Sequence, residues 1–249
     1  MDEQTNKKEE LRDVVPQLEN RFRITIWNRL VVLAKWLIFA ALTGLALGLV
    51  GTAFGKGVSM ATSFRMAHPW ILYGLPFAGV LIVWMYQWER KQERSSTNMV
   101  LDAIHAEREI PLKTAPLIFI STILTHLFGG SAGREGAALQ LGGSLAELVR
   151  KGGKLGAEFQ DLAIMCGMSA GFSAVFGSQI TAALFALEIS CVGILPLGGL
   201  FPCVVSSLAA GTVARAMGVR AMRFYLSAST PDVLFYGQVL VLGIACGLL

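Results

Sequence analysis

The chain has 249 residues, 54% of them hydrophobic and only 15% charged, with a formal net charge of +4 and a mean hydropathy of +0.58. A soluble domain carries roughly 25% charged residues, whereas here 12 of the 38 charges crowd into residues 1–30 and Glu188 is the only formal charge between Leu162 and Ala214. So little charge excludes a soluble globule, and a pI near 9.0 without a basic stripe and interleaved aromatics excludes nucleic acid as a partner. The expected fold class is an all-α polytopic membrane protein.

Residues 1–30 are polar and charge-balanced. Leu18, Phe22, Ile26, Trp27 and Leu30 mark an amphipathic helix lying at the interface, which makes this a cytoplasmic or interfacial N-terminal segment. Residues 31–54 form a first span and residues 69–88 a second, which ends in Trp84, Tyr86 and Trp88 as an aromatic belt. The loop 89–113 follows with Arg90, Lys91, Arg94, Arg108 and Lys113, and the positive-inside rule places it in the cytoplasm. The same rule assigns loops 150–154 and 215–223 to the cytoplasm. Lys35, early in the first span, can reach the interface with its ammonium.

The middle of the chain departs from plain spans. Residues 115–128 supply about 21 Å of helix against a hydrocarbon core of about 30 Å. Residues 134–149 and 178–190 are also short, and glycine clusters separate all three. Helices that stop within the bilayer are tolerated only where freed backbone lines a protected cavity, and paired segments of this kind point to a transport site. Pro196 and Pro202 are expected to kink or interrupt residues 192–214, with Phe201 between them as a packing residue. Glycines recur four apart at several places, mostly as a helix-packing device. One pair says more: Gly44-Leu-Ala-Leu-Gly-Leu49 is echoed by Gly243-Ile-Ala-Cys-Gly-Leu248. The echo suggests a first transmembrane repeat over 31–232 and the start of an incomplete second repeat at 233–249, as in a truncated chain.

Four cysteines, Cys166, Cys191, Cys203 and Cys246, lie in apolar runs without CxxC or a histidine at ligand spacing. They read as small buried hydrophobes, and neither metal nor other cofactor is expected. His126 and His68 read as packing and interfacial residues. An intramembrane enzyme is disfavoured because HExxH, a GxSxG elbow and a second acid beside Glu135 are all absent.

The informative stretch is Gly129-Gly-Ser-Ala-Gly-Arg-Glu-Gly136, reached after an uncharged run from Thr114 to Gly133. Arg134 and Glu135 therefore arrive at or near membrane depth, where an ionisable group is expensive and a functional candidate. The glycines allow a tight turn, and a helix starting near Arg134 points its unpaired amides and positive dipole end at one place. Such a place binds an anion without a metal. Glu135 competes for those amides when deprotonated and vacates them when protonated, so one carboxylate serves as gate and proton carrier. Its other reading is an acid in the first helical turn, paired to Arg134 at the membrane surface. The uncharged approach and the glycine density favour the gate.

GSAGREGAALQLGG resembles the GxxxGREGPxxQxGG signature of the CLC chloride channels and chloride/proton antiporters. The stretch GFSAVFGSQITAALFALE at 171–188 is similar to that family's GxAAAFxAPxAGxLFxxEE. The resemblance covers about residues 30–249 and implies a CLC-type inverted-repeat architecture with broken and re-entrant helices. It implies an anion pathway at Gly133, Arg134, Gly136 and Ala137, with Glu135 as external gate. It also implies a homodimer, with 178–190 and 192–214 supplying part of the interface.

Three departures refine this. The chloride-type GSGIP loop is replaced by Ser95-Ser-Thr-Asn-Met-Val-Leu101, which puts Asn98 or Met99 in the filter and resembles the fluoride/proton antiporter branch. Proline is absent after GREG (Ala137) and from the AP pair (Gln179). Of the two glutamates that close the second motif only Glu188 is present, with Ile189 at the other position. Glu188 is then either a proton relay or a helix-end carboxylate near the cytoplasmic surface. The resemblance implies a multi-pass cell-membrane protein that exports fluoride in exchange for protons, with lipid, protons and fluoride or chloride as its partners. The alternatives are a chloride channel or chloride/proton antiporter of the same fold, or a non-transporting half-protein.

Overall fold

The computed structural model describes residues 2–87, 100, 104, 113–156, 159–190, 197–219 and 233–248, with side chains described from Val31 to Gly247 of these. The elements are α1 (Asp2–Ala67), a 3-10 helix (Pro69–Gly74), α2 (Leu75–Gln87), α3 (Thr114–Leu127) and α4 (Arg134–Gly152). They continue with α5 (Gln160–Phe176), α6 (Gln179–Ser190), a 3-10 turn (Leu197–Gly199), α7 (Leu200–Ala216) and α8 (Val233–Leu248). Among the described residues Val31–Ala67, Pro69–Gln87 and Leu197–Ala216 are long and apolar enough to cross a membrane. Thr114–Leu127, Gln160–Phe176 and Gln179–Ser190 are shorter apolar helices, the pattern expected of helices that stop inside the bilayer.

Several boundaries differ from expectation. The first span runs unbroken to Ala67 rather than ending at 54. Gly55, Lys56 and Gly57 do not stop it because its inner face stays apolar through them: Phe54 and Val58 are fully buried against Ala115 and Ile118 of α3, and Gly57 faces Ile123. The apolar part alone is 37 residues, about 55 Å of helix, so it must tilt or protrude. Helix α4 likewise continues through the expected loop at 150–154 as far as Gly152. Tyr86 is not a free belt residue, since its hydroxyl lies 3.3 Å from Ser121 Oγ on α3. Pro202 sits in the first turn of α7 and interrupts nothing. Phe201 beside it is 73% exposed, not packed.

In lipid the hydrophobic effect does not press apolar helices together, so association depends on close packing and interhelical hydrogen bonds. The closest approach is between α4 and α5. A Cβ on Gly142 would strike the Gly167 carbonyl, a Cβ on Gly167 would strike the Gly142 carbonyl, and one on Gly171 would meet the Ala138 carbonyl. The reversed order of these pairs makes the two helices antiparallel. Helix α1 packs through Gly44 and Gly48 on Ala209 and Val213 of α7, and through Gly51 on Ala174 of α5. Between α5 and α7, serine hydroxyls add hydrogen bonds in both directions. Ser169 donates to the Cys203 carbonyl (2.9 Å), Ser173 to Ser207 (2.8 Å) and Ser206 to Cys166 (3.0 Å).

These contacts set the directions of the helices. Glycines 44 and 48 meet successively later residues of α7, so α1 and α7 are parallel. Lys35 and Lys154 border one groove where the apolar part of α1 begins, while Arg65 near its end lies over Gly129 beside the start of α4. The molecule therefore has a Lys154 end and a Glu135 end. Arg215, in the last turn of α7, lies away from the Lys154 end. That departs from the expectation that loops 150–154 and 215–223 share one side as far as Arg215 is concerned, and residues 220–223 lie outside the described residues. Charge counting took each apolar run as a crossing, whereas α6, with 12 residues, is too short to span.

The α4–α5 contact has a direct test. Gly167→Val should destabilise the fold by at least about 1–3 kcal/mol through overpacking. Gly55→Ala, where nothing lies within 4 Å of the added Cβ, should leave stability unchanged or raise it by about 0.5–1 kcal/mol. Thermal unfolding of the detergent-solubilised protein distinguishes the two.

Candidate functional site: a helix N-terminus with an exposed glutamate

The site begins where α3 ends. The Gly130 amide donates to the Thr125 carbonyl (2.8 Å), and the Gly129 amide donates to His126 (3.3 Å). This is the paired bonding of a Schellman stop, with Gly129 at φ +81° in the left-handed region. Gly133 then stands as N-cap with extended backbone (φ −68°, ψ 131°) and no side-chain cap. Helix α4 therefore opens with amides that have no intrahelical partner and a positive dipole end.

Two charged side chains belong to this opening. Glu135, in the first turn, is exposed, and its Oε2 is 3.3 Å from where a Cβ on Gly133 would stand. The carboxylate thus folds back over the N-cap of its own helix. It makes no ion pair with Arg134 among the described residues. Arg134 and Gly136 are half-buried, Gly133 is exposed and Ala137 is buried.

A third charge went unread in the sequence. The Arg65 side chain passes 3.2 Å (Cδ) and 3.8 Å (Nη1) from a Cβ position on Gly129, and its buried Nε has no hydrogen-bond partner among the described residues. It arrives because α1 runs through Gly57. Its only sequence signal was an arginine closing an apolar stretch. The glycine turn thus gathers helix-start amides without an intrahelical partner, the Arg65 side chain, and the neighbouring Arg134 and Glu135. Among the described residues no cluster could hold a metal ion.

Other candidates lie elsewhere. Asn98 and Met99 fall outside the described residues. Glu188 is exposed near the C-terminal end of α6. That helix doubles back after α5, with Phe172 and Phe185 rings 4.9 Å apart, and Glu188 heads for the Lys154 end, away from Glu135. His126 donates through Nδ1 to the Thr122 carbonyl (2.8 Å), and His68 donates to Phe64 (3.1 Å), both within their own turns. Cys166 and Cys203 are buried, Cys246 is exposed, and Cys191 lies outside the described residues.

At the far end of α4 the structure corrects the reading of Arg150 as a loop cation. Its guanidinium grips Glu147 through two bonds of 2.7 Å, and Nη1 donates to the Leu155 and Gly156 carbonyls at 2.7 and 2.8 Å. Glu147 is fully buried, with Lys151 Nζ also 3.6 Å away. This pair anchors the turn after α4. Glu147→Ala should cost about 3–5 kcal/mol by stranding a buried guanidinium. The Glu147→Leu/Arg150→Met double variant should lose less than the single one in the same unfolding measurement.

The profile described as voltage gated chloride channel matches residues 77–249. The chain is 37% identical over 218 residues to the chloride/fluoride channel protein of Pseudomonas syringae pv. tomato, covering 87% of this chain and 48% of that one. It is 30% identical over 167 residues to the H(+)/Cl(-) exchange transporter ClcA of Salmonella arizonae, covering 61% of this chain and 35% of that one. The fold matches the crystal structure of a CLC-type fluoride/proton antiporter with a TM-score of 0.81 and 30% identity, over 87% of this chain and 55% of that one. It also matches a slow cyanobacterial Cl-/H+ antiporter with a TM-score of 0.71 and 19% identity, over 86% of this chain and 54% of that one. The chain thus spans about half the length of the relatives and structures it matches most fully.

Proposed function

The chain belongs to the voltage gated chloride channel family, and from that premise we propose that it forms the gating half of a fluoride/proton antiporter in the cell membrane. The observation that carries this reading is the exposed Glu135, without an ion-pair partner among the described residues, folded over the N-terminus of α4, which has no side-chain cap. With Glu135 deprotonated, its carboxylate competes with the anion for the amides following Gly133, through Arg134, Gly136 and Ala137. With Glu135 protonated, the carboxyl leaves them and an anion enters. Each exchange then moves one proton on Glu135 against one anion. Arg134 and Arg65 attract the anion to the mouth.

Fluoride is favoured over chloride by Asn98 and Met99 in place of GSGIP, by Ile189 in place of a second glutamate, and by the similarity to a fluoride/proton antiporter. Fluoride is small and strongly hydrated, so dense amide donors must replace its water. Glu188, oriented toward the Lys154 end, serves as the inner proton relay in this scheme.

Two further proposals concern assembly. Residues from 233 begin a second inverted repeat. The exposure of α8 from Val233 to Gly247 supports this, as does the contrast between Gly44 and Gly48, which pack on α7, and Gly243 and Gly247, which meet nothing within 4 Å. A homodimer forms through the outer face of α6 and α7, where Ile180, Leu184, Phe201 and Leu208 are exposed.

The test is anion and proton flux from liposomes containing the full-length protein. Fluoride efflux should exceed chloride efflux and be driven by a pH gradient, and Glu135→Gln should abolish proton movement. Equal chloride efflux would transfer the protein to the chloride-type branch, and unchanged coupling in the Gln variant would remove Glu135 from the gate. Fluoride flux with coupling intact in Glu188→Gln would remove Glu188 alone.

A further inference from the structure

At the Lys154 end, opposite the gate, α1 and the turn after α4 enclose an open groove of about 510 Å³. Its walls are apolar. Trp36 meets Phe39 and Phe159 edge-on, with ring centroids 5.6 and 5.0 Å apart, and Leu42, Val149 and Leu155 complete the lining. The volume lies in the range of small-molecule sites, about 300–1,000 Å³.

Two lysines supply the charge of the lining. Lys35 and Lys154 both border the groove, both are exposed, and neither has an ion-pair or hydrogen-bond partner among the described residues. The nearby carboxylate of Glu147 is already occupied by Arg150 and Lys151. Lys154 also takes the left-handed position, φ 54°, of the turn that closes α4, where glycine is the usual residue. Arg150 holds this turn through the Leu155 and Gly156 carbonyls. From Lys35 to Leu42 the lining descends about 10 Å along α1. A cationic rim above an apolar slot that runs into the membrane matches the two parts of one molecule, an anionic headgroup and its acyl chain.

We propose that this groove binds an anionic phospholipid, with the phosphate between Lys35 and Lys154 and one acyl chain against Trp36, Phe39 and Leu42. The site belongs to the leaflet at the Lys154 end. It is separated from the gate by the length of α4, and it does not depend on which anion the protein carries.

The experiment is native mass spectrometry of the full-length protein titrated with phosphatidylglycerol or phosphatidylcholine. Phosphatidylglycerol should be retained in preference to phosphatidylcholine. Lys35→Glu/Lys154→Glu should lower its affinity about thirtyfold, as expected for two lysines near an anionic lipid. Leu42→Trp, which fills the slot and leaves both lysines, should lower it as well. Equal retention of the two lipids would overturn the proposal. So would undiminished binding in either variant, the result expected if residues 1–30 or another part of the full-length protein covers the groove. If the variants do not fold, labelling of the unaltered protein decides. Phosphatidylglycerol should protect Lys35 and Lys154 from an amine-reactive reagent, and equal labelling in phosphatidylcholine would overturn the site.

Discussion

The contact on which the rest of the structure depends is the one between Gly142 and Gly167. No side chain separates α4 from α5 there, and each backbone lies where the other's Cβ would stand. In a bilayer this closeness is the source of affinity, because lipid tails solvate leucine as well as a neighbouring helix does. The contact fixes α4 against a helix that is itself held to α1 by Gly51 and to α7 by three serine hydroxyls. The N-terminus of α4 is therefore presented by a rigid support, although the loop leading to it is made of glycines.

That helix carries two carboxylates with opposite fates. Glu147 is buried, gripped by Arg150 and approached by Lys151, so its charge is compensated. Glu135, three turns earlier, has no such partner among the described residues and lies exposed over the uncapped amides. Desolvation explains the contrast. A buried carboxylate without a partner would be too costly, so a paired one is structural. An exposed carboxylate keeps its hydration and needs no partner. The two ends of α4 thus differ in kind, with a buried, compensated carboxylate at the Lys154 end and an exposed one at the Glu135 end.

Much of the Gly129–Gly136 turn was legible because it is local. A tight turn, an unpaired helix start and a charged dipeptide are all written within Gly129–Gly136, and the structure forms them in place. Arg65 was not legible, because it reaches the loop only when α1 continues through Gly55–Lys56–Gly57, a stretch that reads as a break. Burial of Phe54 and Val58 against α3 overrides that local signal. Glu147 hid for the opposite reason: it lies in a charged run that looks like a water-facing helix end, and only the turn formed by Leu155 and Gly156 brings the partners that bury Arg150. The side on which Arg215 lies was misread because a half-length helix does not reverse the chain as a full crossing does.

By itself the sequence determined the class, most of the helical segments and the local form of the Gly129–Gly136 turn. Charge density, run length and glycine spacing are properties of a chain in a low-dielectric slab and act over a few turns of helix. Only the tertiary structure decided which ends meet. It placed Arg65 over Gly129, turned Arg150 inward, set α7 parallel to α1 and put Lys35 and Lys154 in the lining of one groove. The α1–α7 alignment rests on close backbone approach at glycines, and Arg65 and Arg150 meet partners supplied by other segments or by a turn, so local composition specifies none of them.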